Sequence, residues 1–159
     1  MKVSKKDVRM VGLVASAALL AGCAWAANTP ADAAAPATAM PAAQMSAAAL
    51  SGAQEVPPNP SAASGKSTIK IGADKTVTGA IEVMGMTPTM AHIHEAAKGA
   101  NGPVIVPLAK TGEHTFAPAP GAKLTDAQYA SFLAGKLYLN VHSAVYPGGE
   151  IRLQLVAAK

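Results

Sequence analysis

The feature that most constrains the fold of this chain is a period-two alternation of apolar and polar residues that begins near Ser46. Such alternation places one face of a β-strand in a core and the other face toward solvent. It predicts strands over residues 67–72, 76–84, 90–95, 104–108, 136–143 and 150–156. Turn residues such as Asp74-Lys75 and Pro147-Gly148-Gly149 separate these segments. Short strands with frequent turns predict an all-β fold, a Greek-key β-sandwich or flattened barrel.

One short helix is predicted inside this β domain, over about residues 125–134. Thr125 is a good N-cap, and Gln128 completes a capping box three residues later. Gly135 is placed to end the helix. The expected buried stripe consists of Tyr129, Phe132 and Leu133.

The N-terminus has the organisation of an export signal. A positively charged segment over residues 1–9 precedes an uncharged apolar run over residues 11–21, which is too short to span a bilayer. The run ends in Leu20-Ala21-Gly22-Cys23, which resembles the bacterial lipobox, where the cysteine becomes the first mature residue and is lipidated. An ordinary signal peptide cut after Ala26 or Ala27 is the alternative.

The sequence contains one cysteine, Cys23. It therefore excludes an intramolecular disulfide and a Cys-rich zinc module. Ala24 follows the cysteine where an Asp would stand in a retained lipoprotein, and by resemblance to the sorting rules of diderm bacteria this points to the outer membrane. We expect secretion across the inner membrane and a lipid anchor at Cys23, on the periplasmic face of the outer membrane or at the cell surface.

This processing divides the chain into three parts. Residues 1–22 are the predicted lipoprotein signal peptide, residues 23–45 an Ala/Pro-rich tether, and residues 46–159 the β domain. The formal net charge of +4 belongs mostly to the signal peptide, since the chain from Cys23 onward has nine basic and eight acidic residues. The remaining lysines are scattered, which excludes nucleic acid as a partner.

Three histidines of the β domain are candidate metal ligands. His92 and His94 are two residues apart on a predicted strand, so both imidazoles point to the same face. His142 lies on the polar face of another predicted strand. Three convergent neutral imidazoles would bind copper or zinc. The spacing leaves open whether the strands are neighbours, and solvated surface residues are the alternative.

Charged residues near these histidines are candidates for supporting roles. Glu95 and Glu150 could orient the imidazoles by hydrogen bonds, or they are ordinary surface carboxylates. Arg152 alternates onto the same side as Glu150 and could guide an anionic substrate or pair with a carboxylate. His114 lies in a polar connection and is expected to be exposed.

Three methionines, Met84, Met86 and Met90, lie just upstream of the histidine pair. Thioethers suit Cu(I). Clustered methionines in a strand-rich domain more often serve packing, which is the interpretation that we favour here.

Several longer motifs follow one another along the β domain. They are LSGAQEVPP at 50–58, AHIH at 91–94, NGPV at 101–104, GKLYLNVHS at 135–143 and PGGEIR at 147–152. In this order they resemble the CHRD domain, a family named for its repeats in chordin and widespread in bacterial secreted proteins. The resemblance covers about residues 46–156 and departs at Leu153, where the family usually has Gly. It implies a secreted β-sandwich.

A weaker likeness is to the β-barrel of Cu/Zn superoxide dismutase. In that family an HxH on an outward-facing strand and a later Val-His strand supply copper ligands, which His92, His94 and His142 match loosely. The bridging and zinc-loop ligands are missing, because no His lies between Glu95 and Leu108. The likeness therefore implies a mononuclear three-His copper site.

Three classes of function follow from these patterns. We favour a non-enzymatic, membrane-anchored domain that holds copper, or zinc as the alternative, for storage, buffering or delivery. A copper-only dismutase-like oxidoreductase and a metal-free adhesion or matrix module are the alternatives. The predicted partners are a metal ion and a membrane, through the lipid anchor, and the sequence indicates no particular protein partner.

Overall fold

The computed structural model describes residues 49–157. The predicted signal peptide, the tether and Cys23 lie outside the described residues. The strands are β1 (Ala49–Ser51), β2 (Ser64–Ser67), β3 (Lys70–Ile71), β4 (Val77–Thr78), β5 (Ile81–Met84), β6 (Pro88–Glu95), β7 (Val104–Lys110), β8 (Thr115–Pro118), β9 (Leu137–Ser143) and β10 (Ile151–Leu155). A 3-10 turn covers Gly52–Gln54, and helix α1 covers Asp126–Leu133. In this part of the chain, no helix has the length and apolar character needed to cross a bilayer.

Eight of these strands close into one antiparallel barrel in the order β1-β10-β9-β6-β7-β8-β5-β2. Strands β6 and β9 are neighbours although β7, β8 and α1 separate them in sequence, so the chain crosses over as in a Greek key. Strands β3 and β4 form a separate two-stranded sheet. The all-β prediction, with a flattened barrel and one short helix, is confirmed.

The barrel interior contains the apolar side chains that the alternation predicts. Ile93 on β6 pairs with Leu139 on β9, which in turn pairs with Leu153 on β10, and all three are buried. Each fully buried aliphatic side chain of this kind stabilises the fold by about 1.5–3 kcal/mol. The residues that alternate with these apolar side chains point outward, and they form a polar layer on the outside of β6, β9 and β10.

The segment at residues 76–84 differs from the single strand that the alternation predicts. It breaks at Gly79, whose φ of +99° favours glycine and where a Cβ would lie 2.2 Å from the Thr68 carbonyl oxygen. The predicted strand at residues 67–72 breaks opposite it, because the Thr68 hydroxyl accepts a hydrogen bond from the Ala80 amide. The paired breaks separate the β3–β4 sheet from the barrel.

Helix α1 has the predicted N-terminus. The Thr125 hydroxyl accepts from the Gln128 amide at 3.2 Å, and the Gln128 side chain accepts from the Thr125 amide at 2.9 Å. Phe132 is fully buried, but Leu133 is 55% exposed, so its assignment to the buried stripe is wrong. The reason is that this short helix contacts the core only along the narrow line of Tyr129 and Phe132.

Strand β9 is buried on both faces. The sequence predicts an outward polar face of Tyr138, Asn140 and His142, yet all seven residues of the strand are buried. Loops after β1, between β6 and β7, and between β9 and β10 lie against this face and exchange hydrogen bonds with it. The polar face of β9 is therefore a covered surface.

Candidate metal centre

The pairing of β6 with β9 brings the three predicted histidines together. His92 is the cross-strand partner of Asn140, and His142 is the next outward residue along β9. One ligand nitrogen from each of His92, His94 and His142 lies within 4.8 Å of the other two. The question that spacing left open, whether the strands are neighbours, is answered by this register.

His94 has its ring orientation set by the β6–β7 loop. Its Nδ1 lies 2.9 Å from the Gly102 carbonyl oxygen, and because a carbonyl only accepts, Nδ1 carries the proton. The lone pair of the neutral ring is then on Nε2, which is buried and has no hydrogen-bond partner among the described residues. The ring also stacks on Tyr138, with centroids 4.8 Å apart. A buried, unpaired acceptor of this kind fits a metal ligand.

His142 has its tautomer set in the same way by a different loop. Its Nδ1 donates to the Pro147 carbonyl oxygen at 3.0 Å, which leaves the lone pair on Nε2. That Nε2 accepts a hydrogen bond from Nδ1 of His92 at 3.2 Å. Two nitrogens bound to one tetrahedral ion at about 2.0–2.1 Å are about 3.3 Å apart, so the observed spacing suits a shared metal ion.

The electrostatics keep this cluster in the neutral form that metals need. Burial lowers the pKa of His92, and the neighbouring imidazoles of His142 and His94 lower it further. Burial also lowers the pKa of His94 and of His142, against the opposing effect of their hydrogen bonds to carbonyls. Metal binding therefore competes with few protons near neutral pH.

The carboxylates that the sequence offers as partners of the imidazoles contact serines instead. Glu95 accepts a hydrogen bond from the Ser131 hydroxyl at 2.6 Å, and Glu150 accepts from the Ser61 hydroxyl at 2.6 Å. The groups that orient the rings are the backbone carbonyls of two loops. A sequence pattern indicates which side chains share a face, but it does not indicate where a loop carbonyl will point. For this reason the sequence suggested carboxylates and not backbone carbonyls as partners of the imidazoles.

Arg152 is a structural residue of the covered layer. It is 1% exposed, and its guanidinium carbon lies 3.4 Å from the centre of the Tyr138 ring. It donates hydrogen bonds to the Ala100 carbonyl at 2.8 Å and to the Asn101 side chain at 3.1 Å. It makes no ion pair with Glu150. The guanidinium is thus held by the β6–β7 loop and by the Tyr138 ring.

Two polar residues beside the cluster were missed by the sequence reasoning. Asn140 donates to the Glu55 carboxylate at 3.3 Å, and both residues are buried. Burial raises the pKa of Glu55, while the charge of Arg152 and the hydrogen bonds to the carboxylate oppose this shift. The signal that could have found Glu55 is its place as the one charged residue in the motif at residues 50–58.

The remaining candidates lie outside the cluster or beside it. The His114 residue is half-buried, its Nε2 lies 3.8 Å from the Glu113 carboxylate, and it does not belong to the group of three histidines. Met86 packs against the core. Met84 and Met90 are exposed, so packing does not account for them.

These features define a small antiparallel β-barrel with three imidazoles gathered under the loops that cover one outer face. Residues 46–155 match the family model of the CHRD domain, which is well over half of the chain. The chain therefore belongs to the CHRD domain family. No curated protein and no solved structure matches it.

Proposed function

We propose that this protein binds one copper ion through His92, His94 and His142 and stores, buffers or delivers copper outside the cytoplasm. The observation that carries the proposal is the buried Nε2 of His94, which has a lone pair and no partner in the described structure. One ring nitrogen from each of His92, His94 and His142 lies within 4.8 Å of the other two. Zinc suits the same three nitrogens, but nitrogen sites generally bind Cu²⁺ more tightly than Zn²⁺.

A binding role is better supported than a redox enzyme. Electrostatic guidance of an anionic substrate requires an accessible cation near the metal. Arg152 was the candidate guide, and its burial and hydrogen bonds commit it to the β6–β7 loop. Superoxide turnover by the copper-loaded protein distinguishes the two classes, and we expect none above the rate of the metal-free protein.

Metal counting tests the site directly. The purified protein is loaded with Cu(II) or Zn(II), freed of excess metal, and analysed for metal per chain. We expect about one copper per chain for wild type, and substoichiometric copper for His92→Ala, His94→Ala and His142→Ala, because two imidazoles hold the ion poorly.

His114→Ala is the matched control, because it removes the histidine that lies outside the cluster. It should retain the copper of wild type. Far-ultraviolet circular dichroism establishes that each variant is folded. A wild-type protein without stoichiometric metal, or a folded His92→Ala that binds like wild type, would contradict the proposed site.

We further propose that Cys23 carries a lipid that anchors the protein to a membrane, with the Ala/Pro-rich segment at residues 23–45 as its tether. The support is the lipobox-like run ending in Cys23 and the single cysteine in the sequence. Such an anchor would place the copper site outside the cytoplasm, on the periplasmic face of the outer membrane or at the cell surface.

A further inference from the structure

Met90 lies on the same face of β6 as His92 and His94. Residues two apart on a strand share a face, and the intervening Ala91 and Ile93 point into the barrel, where both are fully buried. The outward row on β6 is therefore Met90, His92 and His94. The thioether is the next side chain after the histidine pair.

The strand register places Met90 directly beside His142. The two residues are cross-strand partners in the β6–β9 ladder. Partners of this kind have Cβ atoms about 4.5–5.5 Å apart, and the methionine side chain has three rotatable bonds with which to cover that distance. Met90 thus adjoins two of the three proposed ligands, one along its own strand and one across it.

A β-bulge lies at this point of β6. The register shifts between Pro88 and Met90, so that Thr89 is an extra residue, and the Thr89 hydroxyl donates to the His142 carbonyl at 3.2 Å. Thr89 and Met90 are both exposed, whereas Pro88 is buried. Bulges often re-aim a side chain next to a functional site.

The exposure of Met90 marks the open side of the histidine cluster. Met90 is 48% exposed, His92 is half-buried, and His94 and His142 are buried. A ligand that completes the coordination of an ion held by the three nitrogens would approach from this side. Met86, by contrast, is already packed against the core.

We propose that the Met90 sulfur is a fourth ligand that makes this site prefer Cu(I) to Zn(II). This inference rests on the proposed three-histidine site. A thioether is a soft ligand that binds Cu(I) well and contributes little to Zn(II). The site then holds copper in the reduced state through three nitrogens and one sulfur.

Replacement of Met90 by leucine tests the ligand while nearly preserving side-chain volume. Cu(I) affinity is measured anaerobically, by competition with a chromophoric Cu(I) chelator, and Zn(II) affinity by competition with a fluorescent zinc chelator. We expect Met90→Leu to weaken Cu(I) binding by about tenfold or more and to change Zn(II) binding by less than about twofold.

Met84→Leu is the control, because Met84 has a similar exposure of 43% but lies on β5, from which β7 and β8 separate β6 around the barrel. It should leave both affinities unchanged. Copper X-ray absorption of the Cu(I)-loaded protein should contain a copper–sulfur contribution in wild type and Met84→Leu that is lost in Met90→Leu.

The outcomes separate this inference from the proposed function. If wild type binds none of Cu(I), Cu(II) and Zn(II), both the proposed three-histidine site and the thioether ligand are overturned. If wild type binds metal and His92→Ala loses it, but Met90→Leu binds Cu(I) like wild type, only the thioether ligand is overturned. Equal losses of Cu(I) and Zn(II) in Met90→Leu would also overturn it, because they indicate a structural effect.

Discussion

At the scale of single residues, the geometry of the site depends on backbone groups of loops. The Gly102 carbonyl determines which nitrogen of His94 carries the proton, and the Pro147 carbonyl does the same for His142. A proton on Nδ1 leaves the lone pair on Nε2, which is the nitrogen that would bind an ion. Partners that orient metal-binding imidazoles usually affect affinity by about 10–100-fold.

Gly102 is predicted to be essential for this arrangement. A Cβ at this position would lie 1.9 Å from the Glu95 carbonyl oxygen, so Gly102→Ala must move the loop away from β6 and from His94. We expect copper affinity to fall by about 10–100-fold, together with a loss of stability. Copper titration and urea unfolding measure the two effects.

Gly112→Ala is a suitable control for this substitution. A Cβ there would meet its nearest neighbour, the Thr115 hydroxyl, at 3.5 Å, which is an ordinary contact. This variant should bind copper like wild type. If Gly102→Ala also did so, the loop carbonyl would not be the group that orients His94.

At the scale of secondary-structure elements, helix α1 shows that a single buried side chain can hold a short helix against the core. Its capping box determines where it begins, and Gly135, with φ of +67°, follows its end. Its burial, however, is concentrated in one side chain, Phe132. The helix is held by that anchor rather than by a broad apolar face.

Two neighbouring residues of α1 should therefore differ strongly on truncation. We expect Phe132→Ala to lower the free energy of unfolding by about 3–5 kcal/mol, because it leaves a cavity in the core. Leu133→Ala, at an exposed position, should change it by about 0.5 kcal/mol or less. Urea unfolding of the metal-free protein compares them, and similar losses in both variants would contradict the assigned orientation of the helix.

At the scale of the whole molecule, closure of the barrel leaves its eight-stranded sheet without an exposed edge, so the domain offers no strand for edge pairing from that sheet. The three histidines lie on the outer face of β6 and β9, where loops cover His94 and His142 and leave the Met90 side open. The metal site is thus a property of the covered wall of the barrel and not of its interior.

Membrane attachment is a prediction about the whole chain that rests on sequence. We expect protein extracted from membranes to begin at Cys23 and to have a mass increased by acyl groups. Intact-mass spectrometry measures this directly. The Cys23→Ala variant should lack the added mass and should no longer fractionate with membranes. A wild-type mass that matches an unmodified Cys23, or a chain that begins at Asn28, would contradict the anchor.

The histidine cluster shows how far a sequence pattern can predict a site. The two-residue spacing of His92 and His94 was enough to place both rings on one face, since alternation is a local property of any strand. The same logic predicted the polar face of β9. It could not predict that the loops would cover this face, because the loop contacts join residues far apart in the chain, such as Asn140 and Glu55.

The local structure follows from the sequence alone: the apolar rows, the capped helix and the pair of imidazoles on β6. The position of His142 beside His92, fifty residues away, follows from the fold, because strand neighbours are set by long-range pairing. The fold also determines which ring nitrogens carry the lone pairs, since loop carbonyls determine the tautomers of His94 and His142. The alternation of side chains along a strand depends on only a few neighbouring residues, whereas strand pairing and the burial of a face by loops depend on how the whole domain packs.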